Sequence, residues 1–112
     1  MAIYVANLTV NQGANFYQTF NLSNSIGDTS FVLTGYSIEA KMKKHAAASS
    51  STAFTATIEN ASNGTISLSL TSSQTAALKP GRYIYDIVIT SGGGFKSRAI
   101  EGNVLVREGV TV

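Results

Sequence analysis

The side chains able to do chemistry in this sequence are few and far apart. The single histidine, His45, follows Lys41-Met-Lys-Lys44 and enters a polar loop. General acid–base work needs a partner and a sheltered pocket, and a lone loop histidine supplies neither. The carboxylates Asp28, Glu39, Glu59, Asp86, Glu101 and Glu108 fall in different runs of the chain. No spacing among them makes an acid–base dyad or a calcium loop. Serine is abundant but never sits in Gly-x-Ser-x-Gly. Cysteine is absent, which removes thiol nucleophiles, thiolate metal sites and disulfides together. The expectation is a protein that is not an enzyme, with no cofactor and no metal.

Smaller constellations point the same way. Asp86 and Glu101 interrupt apolar runs, so each is expected to pair across strands with Arg82, Arg98 or Lys96 on an exposed face. Such a pair contributes only ~0.2–1 kcal/mol; the sharper alternative is a ligand-binding carboxylate. Gly92-Gly-Gly94 leads into another strand-like run, whereas a phosphate cradle needs a helix N-terminus beyond its glycines. Lys41, Lys43 and Lys44 are the only basic cluster in sequence, Glu39 shares the face of Lys41 and Lys43, and no exposed aromatics interleave. With a net charge of +2, nucleic acid is not expected as a partner. Asn7, Asn21, Asn60 and Asn63 begin Asn-x-Ser/Thr triplets, which a chain rich in these residues produces by chance.

The elements that would carry these residues are strands. Thr65-Ile-Ser-Leu-Ser-Leu-Thr71 alternates perfectly, so Ile66, Leu68 and Leu70 face a core and the hydroxyls face out. Tyr36, Ile38, Ala40 and Met42 alternate with polar residues, as do Phe54, Ala56 and Ile58. Phe16, Phe20 and Leu22 share a face with Ala14 and Gln18, and Tyr4, Ala6, Leu8 and Val10 form another. Tyr83, Tyr85, Ile87 and Ile89 line one side of a run whose other side holds Ile84 and Val88. That strand is expected to be covered on both faces. Ile100, Val104 and Val106 share a face with Gly102 between them, which suggests a bulge or a close backbone approach. The count is about seven strands.

Connections agree. Asn63-Gly64 is a strong hairpin-turn signal, and Ser91 to Gly94 joins two strands. Residues 24–30 and 44–52 read as longer loops. Ser72 to Leu78 is the one helical segment, a turn or two ended by Lys79-Pro80-Gly81. Ser and Thr make up 26 of 112 residues and 44% are hydrophobic. No stretch approaches the ~20 apolar residues of a membrane span, so no membrane partner is expected.

These features predict an all-β fold: residues 1–112 as a single β-sandwich domain, antiparallel and immunoglobulin-like, with a short helical crossover near 72–78. A small jelly roll or open barrel is the alternative. The helical turn before Leu78-Lys-Pro-Gly-Arg-Tyr83 marks Tyr83 as a corner tyrosine whose hydroxyl bonds backbone a few residues upstream.

The order of motifs resembles a family of small bacteriophage virion domains. The motifs are Asn11-Gln-Gly-Ala-Asn-Phe16, Leu33-Thr-Gly-Tyr36 after Val32, the Asn63-to-Thr71 hairpin, the Ser73-to-Ile87 block and the Gly102-to-Val106 strand. The chain is also similar to the N-terminal domain of the upper baseplate protein of lactococcal phages. The resemblance implies an immunoglobulin-like building block of the virion, made in the host cytoplasm. Its role would be a capsid decoration protein in many copies, or a tail, baseplate or neck component. Its partners would be other virion proteins, the major capsid protein or tail proteins. Because the chain ends soon after the domain, a self-contained module on the capsid surface is expected. Its β-prone termini, Met1 to Val10 and Val104 to Val112, would add to a neighbour's sheet. A carbohydrate-binding sandwich for host attachment is the further alternative, with Tyr17 and Phe95 as its candidate exposed aromatics.

Overall fold

The alternation of apolar and hydroxyl residues folds into two facing β-sheets. The computed structural model describes residues 4–22, 33–45, 47–62 and 64–110. The strands are β1 (Tyr4–Val5), β2 (Leu8–Asn11), β3 (Phe16–Asn21), β4 (Ser37–Lys43), β5 (Thr52–Ala53), β6 (Thr55–Asn60), β7 (Thr65–Leu70), β8 (Gly81–Thr90) and β9 (Lys96–Arg107). A single helix, α1 (Ser72–Ala76), lies between β7 and β8. The larger sheet runs β1-β9-β8-β4-β5, with β2 also on β9, and the smaller runs β3-β7-β6. No helix among the described residues is long and apolar enough to cross a membrane.

The core is what the period-two pattern requires. Ile66, Leu68 and Leu70 from the smaller sheet are buried together with Ala40, Met42, Tyr85, Ile87 and Ile89 from the larger. Phe54 joins the layers: its ring lies 5.9 Å from Phe16 and 6.1 Å, edge-on, from Tyr85. Its N–H donates to the Ala40 carbonyl at 3.0 Å, at the point where the chain leaves β5 in one sheet for β6 in the other. That crossing, and a break at Ala6-Asn7 between β1 and β2, raise the strand count from the expected seven or so to nine among the described residues.

Three expectations are corrected. The first run is not antiparallel: β1 and β2 pair parallel to β9, Tyr4 opposite Ile100 and Leu8 opposite Val104. A parallel pair needs a long crossover, and here almost the whole domain supplies it. Residues 4–11 and 96–107 therefore pair with each other, which leaves less of both termini free to join a neighbour's sheet. Second, β8 is covered on one face only. Ile84 is 37% exposed and Val88 half-buried, because no described element packs over the outer side of the larger sheet. Third, the helix is shorter than 72–78. Its N-cap is Thr71, whose hydroxyl accepts from the Gln74 N–H while the Gln74 side chain accepts from the Thr71 N–H. This reciprocal box fixes a helix too short to stand on propensity.

The hairpin between β6 and β7 spans residues 61–64. Gly64 has φ +70°, the left-handed conformation that costs glycine least. Asn63 lies outside the described residues.

Candidate binding surface

The outer face of the larger sheet gathers the charged residues that the sequence scatters. Across neighbouring strands Lys41 stands opposite Asp86, Asp86 opposite Glu101 and Glu101 opposite Val5. Arg98 lies at the middle of this set. Its Nε is 3.3 Å from Asp86 Oδ2 and its Nη1 is 3.3 Å from Glu101 Oε1. Glu39 and Lys41 form a looser pair at 3.9 Å.

A bulge makes the Arg98 arrangement possible. Ile87 pairs with Ile100 but Val88 pairs with Arg98, so Ala99 is an extra residue in β9. Strict alternation would send Arg98 and Glu101, three apart, to opposite faces. The bulge buries both Ala99 and Ile100, and the two charged side chains emerge on one face. Of the bulge or close backbone approach expected at Gly102, the bulge sits at Ala99.

Gly102 instead shows the close backbone approach. A Cβ built there would collide with the Ala6 carbonyl. This is where the edge strand breaks between β1 and β2. The Ala6 N–H still donates to the Glu101 carbonyl at 3.0 Å, and the Asn7 side-chain oxygen accepts from the Asn103 N–H at 3.1 Å. The Ala6 carbonyl turns inward over Gly102 and accepts from the Tyr85 hydroxyl at 2.6 Å. Burial of that phenol pushes its pKa up to about 12.

Together these residues rim an open depression of about 610 Å³, with Val5 and Ile84 as its apolar walls and Lys41, Asp86, Arg98 and Glu101 as its polar ones. Val5 is 73% exposed, and Leu105, diagonal to Ile84 across the β8–β9 ladder, is 45% exposed. Exposed apolar side chains thus stand here beside ion pairs that engage Asp86, Arg98 and Glu101 with one another. Asp86 and Glu101 are both engaged by Arg98, one of the partners expected for them, Asp86 across strands and Glu101 within β9. Their half-exposed pairing has the small worth expected of such contacts.

The remaining sequence candidates lie apart. His45 is exposed beyond the end of β4. Glu59 accepts from the Ser67 hydroxyl at 2.8 Å on the smaller sheet. Among the described residues no three His, Asp or Glu side chains converge as a metal would require. Asp28 falls outside them. Tyr17 and Phe95 are both well exposed. Tyr17 is at the α1 end of the smaller sheet, opposite Ser69, whereas Phe95 is in the β8–β9 turn at the other end. They form no common sugar platform.

Tyr83 opens β8 and donates its hydroxyl to the Lys79 carbonyl at 2.8 Å, four residues upstream. Lys44 leaves the Lys41–Lys43 face altogether, its ammonium lying 4.5 Å from the centre of the Tyr83 ring.

A second polar cluster escaped the sequence reading. Buried Thr75 donates to the Ala14 carbonyl at 2.8 Å and accepts from the Gly13 N–H at 3.0 Å, while Asn15 accepts from the Ser72 N–H at 2.8 Å. Gln12 donates to the Leu78 carbonyl at 2.9 Å and accepts from the Gly109 N–H at 3.2 Å. The Asn11-to-Phe16 motif thus clamps α1 to the last strand's exit. Its only signal in the sequence was a polar run where the pattern asked for a turn. Compared with protein-family models and with curated proteins, the chain matches none.

Proposed function

We propose that this chain is a structural protein of a phage particle, an immunoglobulin-like module that decorates the capsid in many copies. The observation that carries the reading is the outer face of the larger sheet. Val5, Ile84 and Leu105 project there among ion pairs that are already closed, as in a patch built to meet another protein. The particle setting comes from the resemblance in motif order. A small patch suffices on a particle, because many copies engaged together multiply a weak contact.

The immunoglobulin-like assignment has two supports. With β1 and β2 taken as the first strand, the second, fifth and fourth strands (β3, β7, β6) share one sheet. The third, sixth and seventh (β4, β8, β9) share the other. Both groupings are those of that fold, whereas the first strand departs from its constant-type order by lying on β9 and not beside β3. Tyr83, at the start of the sixth strand and bonded to Lys79, occupies the place of the corner tyrosine.

Labelled protein mixed with purified phage heads and with purified tails tests the assignment. Saturable binding to heads in many copies, weakened by Ile84→Asp, is expected. Binding to tails alone would move the module to the tail or baseplate, and binding to neither would refute the structural role.

A further inference from the structure

The fold sorts the charges by position, in a way the near-neutral total conceals. The C-terminal ends of β4 and β9 and the start of β8 meet at one end of the larger sheet. That end carries Lys43, Lys44, Lys79, Arg82 and Arg107, five of the eight cationic side chains of the chain. Glu108 is the one carboxylate of the described residues placed there. Glu39, Asp86 and Glu101 lie further along the sheet, and Glu59 is near the opposite end of the smaller one. None of the five cations makes an ion pair within the described residues, whereas Lys41 and Arg98 both do.

Three of the five belong to the lining of a groove of about 360 Å³ between the β4–β5 connection and the end of α1, Lys43 being shared with the depression on the outer face. Lys43, Lys44 and Lys79 line it, with the hydroxyls of Ser50, Ser51 and Thr52 and the apolar side of Leu78. Tyr83 assembles the groove. Its ring face holds the Lys44 ammonium at 4.5 Å, and its hydroxyl holds the Lys79 backbone at 2.8 Å. No carboxylate is among the residues that line the groove, so the positive charge its three lysines bring is unneutralised there, and an anionic occupant would lower its electrostatic energy.

We infer that this groove docks an extended acidic segment of a partner protein, with carboxylates against the three lysines. Two further features favour a peptide. Thr52, on the groove wall, belongs to β5, the edge strand of the larger sheet, whose outer side pairs with no other described strand and can take an extended chain. The groove also lacks an exposed ring on which a base would stack, since Tyr83 is 9% exposed beneath Lys44. The inference goes beyond the particle role and does not depend on it.

The test is fluorescence anisotropy with a labelled peptide of alternating glutamate and valine, a matched peptide with glutamine for glutamate, and oligothymidylate of equal charge. The acidic peptide should bind, and raising salt from about 50 to about 200 mM should weaken binding. Lys43→Ala with Lys79→Ala should weaken it at least roughly tenfold. Lys96→Ala removes a cation at the opposite end of the sheet and should change affinity less than about twofold. All variants alter exposed or half-exposed side chains, and an unchanged melting transition verifies their folding. An equal loss from Lys96→Ala, equal binding of the glutamine peptide, tighter binding of oligothymidylate or no binding of the acidic peptide would each overturn the proposal.

Discussion

The two sheets turn very different outer faces to their surroundings, although both arise from the same alternation. On the smaller sheet the outward rungs are mostly neutral: Tyr17, Ser69 and Thr55 in one, Thr19, Ser67 and Thr57 in the next. Glu59 adds a carboxylate that accepts from the Ser67 hydroxyl, and Ser67 is buried, not exposed as its alternation suggests. Hydroxyls there satisfy their neighbours, as Thr65 does by donating to the Asn21 side chain at 2.8 Å. On the larger sheet the rungs mix carboxylates, lysines and an arginine with exposed Val5, Ile84 and Leu105. The smaller sheet keeps its register along β3, with a single slip between Ile58 and Asn60 on the other side. The larger carries the Ala99 bulge, the Gly102 approach and the break between β1 and β2. Regular pairing leaves a face dominated by hydroxyls, whereas interrupted pairing re-aims side chains and brings charged groups together on one face.

The largest effect expected of a single substitution falls on the regular sheet. Leu68→Ala should cost ~2–5 kcal/mol in chemical denaturation, because it empties a fully buried site. Ser69→Ala on the opposite face should stay within ~0.5 kcal/mol. Equal losses at the two would show that the faces are not separated as described. On the irregular sheet, Gly102→Ala should cost ~1–3 kcal/mol by overpacking against the Ala6 carbonyl. Its signature should be faster amide exchange in β1 and β2 with β3–β7 unchanged, and uniform loss of protection would deny the local cause.

The two buried tyrosines sharpen the comparison further, since both tie the larger sheet to backbone outside it or at its edge. Tyr83→Phe and Tyr85→Phe should each cost ~1–3 kcal/mol, by leaving the Lys79 or the Ala6 carbonyl without its donor. Tyr85 adds a pH dependence of definite sign. Its folded pKa of about 12 exceeds the ordinary 10.0, so the unfolded chain releases this proton first. The stability it contributes is complete below pH 10.0 and declines as pH rises toward about 12. Tyr85→Phe should flatten that part of an alkaline titration of stability, and an unchanged slope would contradict the assignment. The smallest effect belongs to the ion pairs. A double-mutant cycle on Arg98 and Asp86, both half-exposed, should return ~0.2–1 kcal/mol that fades with added salt.

Much of this molecule is determined by its sequence, because strand alternation is a local rule. Ile66, Leu68 and Leu70, or Tyr83, Tyr85, Ile87 and Ile89, can be set on a buried face from their spacing alone. The turn glycine at Gly64, the short helix before Pro80 and the upstream bond of Tyr83 are likewise short-range features. Which strands become neighbours is not local. The parallel seating of β1 and β2 on β9 joins residues nearly a hundred positions apart, and no periodicity encodes a partner at that distance. The Ala99 bulge exists only against β8, so only the assembled sheet could bring Arg98 and Glu101 to one face with Asp86. The basic end has the same origin. Lys43, Lys79, Arg82 and Arg107 look dispersed along the chain, and they meet because β4, β8 and β9 finish or start at one edge of the fold.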